Sequence, residues 1–137
     1  MLFPHVNWLA VLVTGIVIFM LGGLWYSPAL FARKWVALMG KTEEELKAGA
    51  SGALPYVFVF VCGLLTALVL AIVMNHFKPL SALRGAGLGA ICWLGFTAPS
   101  SFATGTFSGT PRALWLINSG YNLVSFLIAG VILALWR

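Results

Sequence analysis

Four apolar runs constrain this chain more than anything else in it. They lie at about 6–25, 54–77, 80–99 and 111–136, and none contains an aspartate or a glutamate. Each approaches the roughly 20 apolar residues a helix needs to cross about 30 Å of hydrocarbon. Of the 137 residues, 61% are hydrophobic and only 8% charged, against about 25% charged in a soluble domain. Such a surface would not stay dissolved. The expected fold class is therefore all-α: one integral membrane domain over residues 1–137, built as a four-helix bundle. No Lys or Arg precedes the first run, which is longer than the apolar stretch of a signal peptide, so it reads as an uncleaved span.

Aromatic residues mark where the runs meet the membrane surface. Trp8 and Trp25 are 17 residues apart, about 25 Å of helix, and Trp115 and Trp136 are 21 apart, about 32 Å. Just past Trp25 and Tyr26, Ser27 is placed to cap a new helix and Pro28 to occupy its first turn. Leu30, Phe31, Trp35, Leu38 and Met39 then follow helical spacing, with Arg33, Lys34 and Lys41 beside them. That pattern predicts a short amphipathic helix at about 28–40, lying in the interface between the first two spans. Thr42 and Glu45 have the spacing of a capping box. Ala48 to Gly52 reads as a small-residue linker, and the uncharged stretch from Thr97 to Thr110 as a loop hugging the surface.

Small residues predict which helices touch. Gly63, Ala67 and Ala71 recur every four residues in the second span, and Gly85 and Gly89 form a GxxxG in the third. In lipid, close packing across such faces holds helices together, so the second and third spans are expected to face each other.

The net charge of +5 comes from eight Lys or Arg against three acids. The basic residues are scattered singly between spans instead of forming a face, which argues against nucleic acid and for lipid head groups as their partners. Arg33, Lys34, Lys41, Lys47 and Arg112 fall on one side and Lys78, Arg84 and Arg137 on the other. Because Lys and Arg prefer the cytoplasm, the five-to-three excess predicts periplasmic termini.

Asn118, Asn122 and Ser125 share one face of the fourth span, with Tyr121 beside it. Amides and hydroxyls in hydrocarbon need partners, and Thr14 and Thr66 stand at similar depth. These six residues are expected to form a polar network, either interhelical glue or the lining of a small cavity. Cys62 and Cys92 lie apart in apolar runs, without metal-site spacing. His5 and His76 fall near one interface and read as interfacial histidines, not metal or haem ligands. All three acids sit in one loop, no serine has an obvious base, and no phosphate-cradling motif occurs, so no catalytic residue and no cofactor is expected.

The stretch GGLWYSPALFARKWVALMG (22–40), continuing through ICWLGFTAPSS (91–101) and RALWLINSGYNLVSFLIAGVILALW (112–136), resembles a family of small bacterial inner-membrane proteins of unknown function. The resemblance implies a four-span protein of the bacterial inner membrane with the first motif at the end of span one. Members often carry Phe-Gly-Lys where this chain has Phe31-Ala32-Arg33. The function expected is non-enzymatic: association in the bilayer, as a homo-oligomer or as an accessory subunit of a larger complex. Two alternatives stand beside it. One is an oligomeric transporter or channel lined by Asn118, Asn122, Thr66 and Thr14; the other is a lipid or pigment binder walled by Trp25, Tyr26, Trp35 and Trp115.

Overall fold

The computed structural model describes residues 6–42, 44–45, 48, 52–77 and 81–136, and among them every regular element is helical. His5, Glu43, Lys47, Lys78 and Arg137, which entered the charge and histidine arguments above, lie outside the described residues. The helices are α1 (Trp8–Trp25), α2 (Ala32–Met39), α3 (Leu54–Met74), α4 (Ala82–Cys92), a π-helical turn (Trp93–Thr97), α5 (Ala98–Ser108) and α6 (Arg112–Leu135). Three of them, α1, α3 and α6, are long and apolar enough to cross a membrane, where the sequence led us to expect four.

The difference arises in the third run. Pro99 has no N–H to continue an α-helical ladder, and its ring crowds the carbonyl four residues back. The chain accommodates it by widening one turn: the Ala98 amide donates to the Trp93 carbonyl, five residues earlier. Ser101 donates to the Thr97 carbonyl at 2.8 Å, supplying a donor where the ladder is irregular. The column is thereby divided into two eleven-residue helices. It also runs on past Pro99 to Ser108, so the loop expected from Thr97 to Thr110 is largely α5. Gly109 ends it in the left-handed conformation, φ +74°.

The elbow after α1 also differs from its expected form. Ser27 does not cap the next helix; its hydroxyl donates back to the Leu24 carbonyl at 2.6 Å and closes α1. Pro28 lies in the turn that follows, and α2 begins only at Ala32, with no side-chain cap. The shortened α2 keeps Arg33 and Lys34 exposed and Trp35 half-buried, as an interfacial helix requires. Of the capping box at Thr42, the bond from the Glu45 amide to the Thr42 hydroxyl forms, at 3.1 Å.

Packing places α6 between α1 and α4, antiparallel to both, with α3 lying antiparallel against α1. The core gathers Ala10, Val11 and Ile18 of α1, Ala67, Leu70, Ala71 and Met74 of α3, and Ala129, Leu133 and Ala134 of α6. Gly63 lies against Ile18 and the Gly15 carbonyl of α1. The expectation that the GxxxG of α4 faces α3 is wrong: α4 lies along α6 and barely touches α3. A Cβ on Gly85 would meet the Gly130 carbonyl and the Ala134 side chain, and one on Gly89 the Phe126 carbonyl. The small residues match a glycine on α6, and that complementarity sends α4 there. Outward, α3 exposes Val57, Phe58, Val61, Leu65 and Val69, an apolar face suited to hydrocarbon and not to water.

These contacts separate two glycines of one helix. Gly85→Ala forces α4 away from α6 and should cost about 1–3 kcal/mol. Gly87, with nothing within 4 Å of an added Cβ, should accept alanine with no loss and a gain of up to about 1 kcal/mol in helix propensity. Thermal unfolding of both variants in one detergent checks the contrast; equal effects would contradict the α4–α6 register.

Candidate functional site

The most heavily bonded polar and aromatic cluster forms where α1 ends, because its last residues are large, amphipathic and opposite a polar stretch of α6. The Trp25 indole N–H donates to the Ile117 carbonyl at 2.9 Å. Tyr26 donates its hydroxyl to Asn118 Oδ1 at 2.6 Å. Tyr121 answers in the other direction, donating to the Ile18 carbonyl at 2.8 Å. Two glycines make room: a Cβ on Gly22 would lie 3.0 Å from the Tyr121 hydroxyl, and one on Gly120 would lie 3.1 Å from the Trp25 ring.

Ring contacts fasten the turn and α2 to the same place. Trp25 stacks obliquely on Phe31 with centroids 4.9 Å apart, while Tyr26 meets Trp35 and Tyr121 edge to face at 5.8 and 5.7 Å. Arg33 and Lys34 stay outside the cluster, exposed on α2. Burial, and secondarily the adjacent Tyr121, push the Tyr26 phenol from 10.0 up to about 12. Tyr26 is therefore a neutral donor at ordinary pH, neither a base nor a nucleophile. The donors of the cluster are aimed at protein acceptors, and they fasten the end of α1 to α6.

The six-residue network expected from the sequence is not assembled. Asn118 and Tyr121 are drawn to the α1 elbow. Ser125 turns back to the Tyr121 carbonyl of its own helix at 2.8 Å, and Thr66 to the Cys62 carbonyl of its own at 3.0 Å. Asn122 is half-buried, and no side-chain hydrogen bond joins it to the described residues. Thr14 is completely buried with its hydroxyl unpartnered. His76 points Nδ1 at the Ile72 carbonyl, 2.8 Å away.

Sequence reasoning missed two further bridges to α6. Trp93, in the π turn, donates to the Ser119 carbonyl at 3.1 Å, and Trp115 donates to the Ser101 hydroxyl at 3.0 Å while packing edge to face on Phe102. A tryptophan amid an uncharged run was the available signal, since an indole N–H in hydrocarbon must find an acceptor. Ser119 could not have been found that way, because it contributes only its backbone.

A groove of about 370 Å³ opens between α3 and the α4–π column, lined by Leu65, Thr66, Val69, Cys92, Phe96 and Phe126 among others. Its wall is almost wholly apolar, the Thr66 hydroxyl being turned back on its own helix.

Removing the Tyr26 hydroxyl strands the Asn118 oxygen, so Tyr26→Phe should lower stability by about 1–2 kcal/mol, measured by thermal unfolding in micelles. The same phenol sets a pH dependence. Its folded pKa lies above the unfolded value, so its neutral-form contribution is complete below pH 10.0 and falls as pH rises toward about 12. The phenolate absorbance of wild type minus Tyr26→Phe should titrate with that late midpoint. Thr14→Val, which removes a buried unpartnered hydroxyl at constant shape, should raise stability by about 1 kcal/mol; a loss of similar size would reveal a partner.

A family model described as "Protein of unknown function (DUF1761)" matches residues 9–134. No curated protein and no solved structure matches the chain.

Proposed function

We propose that this chain, which belongs to the DUF1761 family of proteins of unknown function, is a non-enzymatic membrane protein that works by binding other transmembrane helices, its own copies first. The observation that carries the reading is the groove between α3 and α4. Those two helices pack on α1 and α6 respectively but leave an apolar seat between themselves. A helix from a second copy or a larger complex would bury that wall by van der Waals packing, the force that joins helices in lipid.

Other features agree with it. The glycines that lock the protomer, Gly15, Gly63, Gly85, Gly89 and Gly130, are used internally. Gly87 and Gly95 have no neighbour within 4 Å, and the large side chains Leu83, Ile91, Leu94 and Phe96 are exposed along the same column. On this reading, α4, the π turn and α5 together make a fourth crossing, 27 residues or about 40 Å of helix. Both termini lie periplasmic to the bacterial inner membrane, as the Lys and Arg distribution suggests. The transporter reading has less support, because Thr14, Thr66, Asn118 and Asn122 face different surroundings and do not line one passage.

Val69, exposed on the groove wall, is the position to test. Wild-type protein extracted in mild detergent should run as a multimer or co-purify with another membrane protein, and Val69→Trp, which fills the groove, should run as a monomer. Wild-type protein that leaves the membrane as a single chain with only lipid bound would overturn the proposal in favour of lipid binding.

A further inference from the structure

A second concavity, of about 230 Å³, lies at the start of α6 and is lined by Phe102, Gly105, Thr106, Thr110, Arg112 and Trp115. It has room for several waters at ~30 Å³ each. The lining is unlike that of the groove: a guanidinium and two threonines between two aromatic walls, with no carboxylate among them. We infer that this pocket binds the phosphodiester head group of an anionic membrane lipid, with Arg112 as the charged anchor.

The hydrogen bonds already made around the pocket limit what it offers a ligand. Thr106 commits its proton to the Phe102 carbonyl at 2.8 Å, and Trp115 commits its indole N–H to Ser101 at 3.0 Å. Ser108 donates to the Thr104 carbonyl at 2.9 Å, so in the 3.3 Å contact between Ser108 and Thr110 the proton belongs to Thr110. Thr110 is thus the hydroxyl able to turn its proton to a newcomer, beside a guanidinium whose fork fits phosphate oxygens. A guanidinium and a hydroxyl proton, with no carboxylate in the lining to repel it, favour an anion.

Position selects a lipid as its source. Asn118 of α6 meets Tyr26 at the end of α1, so Arg112, six residues nearer the start of α6, opens on the same face of the protein as α2. There Arg33 and Lys34 are exposed, and basic residues at a membrane surface concentrate anionic lipids. Phe107, 95% exposed at the end of α5, provides an apolar wedge for the acyl region beside the head group.

Native mass spectrometry of the delipidated full-length chain, titrated with phosphatidylglycerol, phosphatidylcholine or inorganic phosphate, tests this. Wild type should take up phosphatidylglycerol at a concentration about tenfold below phosphatidylcholine, the scale of one charge-assisted contact. Arg112→Gln should erase that preference and Thr110→Val should weaken it, while Arg84→Gln, next to Gly85 at the opposite end of α6, should keep it. An undiminished preference in both pocket variants would overturn the site. Displacement of the lipid by an equal concentration of inorganic phosphate would overturn the lipid as its ligand.

Discussion

The close approach of α4 to α6 is the contact on which the arrangement of the helices depends. Hydrocarbon offers no hydrophobic drive to bring two apolar helices together, so shape must do it. Gly85 and Gly89 on one helix and Gly130 on the other let the backbones meet where any side chain would hold them apart. With α6 fixed against α4 on one side, its other faces receive α1 and part of α3. The groove between α3 and α4 follows from this geometry: each leans on a different inner helix, and nothing draws them together.

A second constraint is the scarcity of hydrogen-bond acceptors around helices this apolar. Indole and phenol donors satisfy it by crossing between helices, as Trp25, Tyr26, Trp93 and Tyr121 do. Short hydroxyls satisfy it locally, as Thr66, Ser101, Thr106 and Ser125 do by bonding a carbonyl three or four residues back. Reach decides between the two. An aromatic side chain spans the gap between helix backbones, whereas a threonine or serine spans it only where the helices nearly touch. This explains why the aromatic elbow became a junction while the expected network of Asn122, Thr14 and Thr66 did not.

Much of the architecture was legible in the chain. The apolar runs predicted α1, α3 and α6 to within a few residues, and the aromatic and basic residues after Trp25 predicted a short amphipathic helix where α2 lies. The uncharged stretch rich in Ser, Thr and Gly misled the reading: it suggested a loop from Thr97 to Thr110, yet a π turn absorbs Pro99 and the column continues to Ser108. Asn118 and Tyr121 were identified as interacting residues, but their partners were misplaced. Asn118 takes its donor from Tyr26 and Tyr121 its acceptor from Ile18, each more than ninety positions earlier.

The amino-acid sequence by itself determined that this chain is helical and suited to a bilayer, because charge scarcity and run length are local properties that no fold can alter. It determined for the same reason that the first helix ends near Trp25, but not how Ser27 and Pro28 shape the turn that follows. Only the tertiary structure decided which glycine faces met, which carbonyls the tryptophans found, and where a groove and a basic pocket were left open. Those outcomes depend on the relative rotation of helices about their axes, and a small-residue stripe or a lone indole fits several partners until backbone contact at Gly85 and Gly130 selects one.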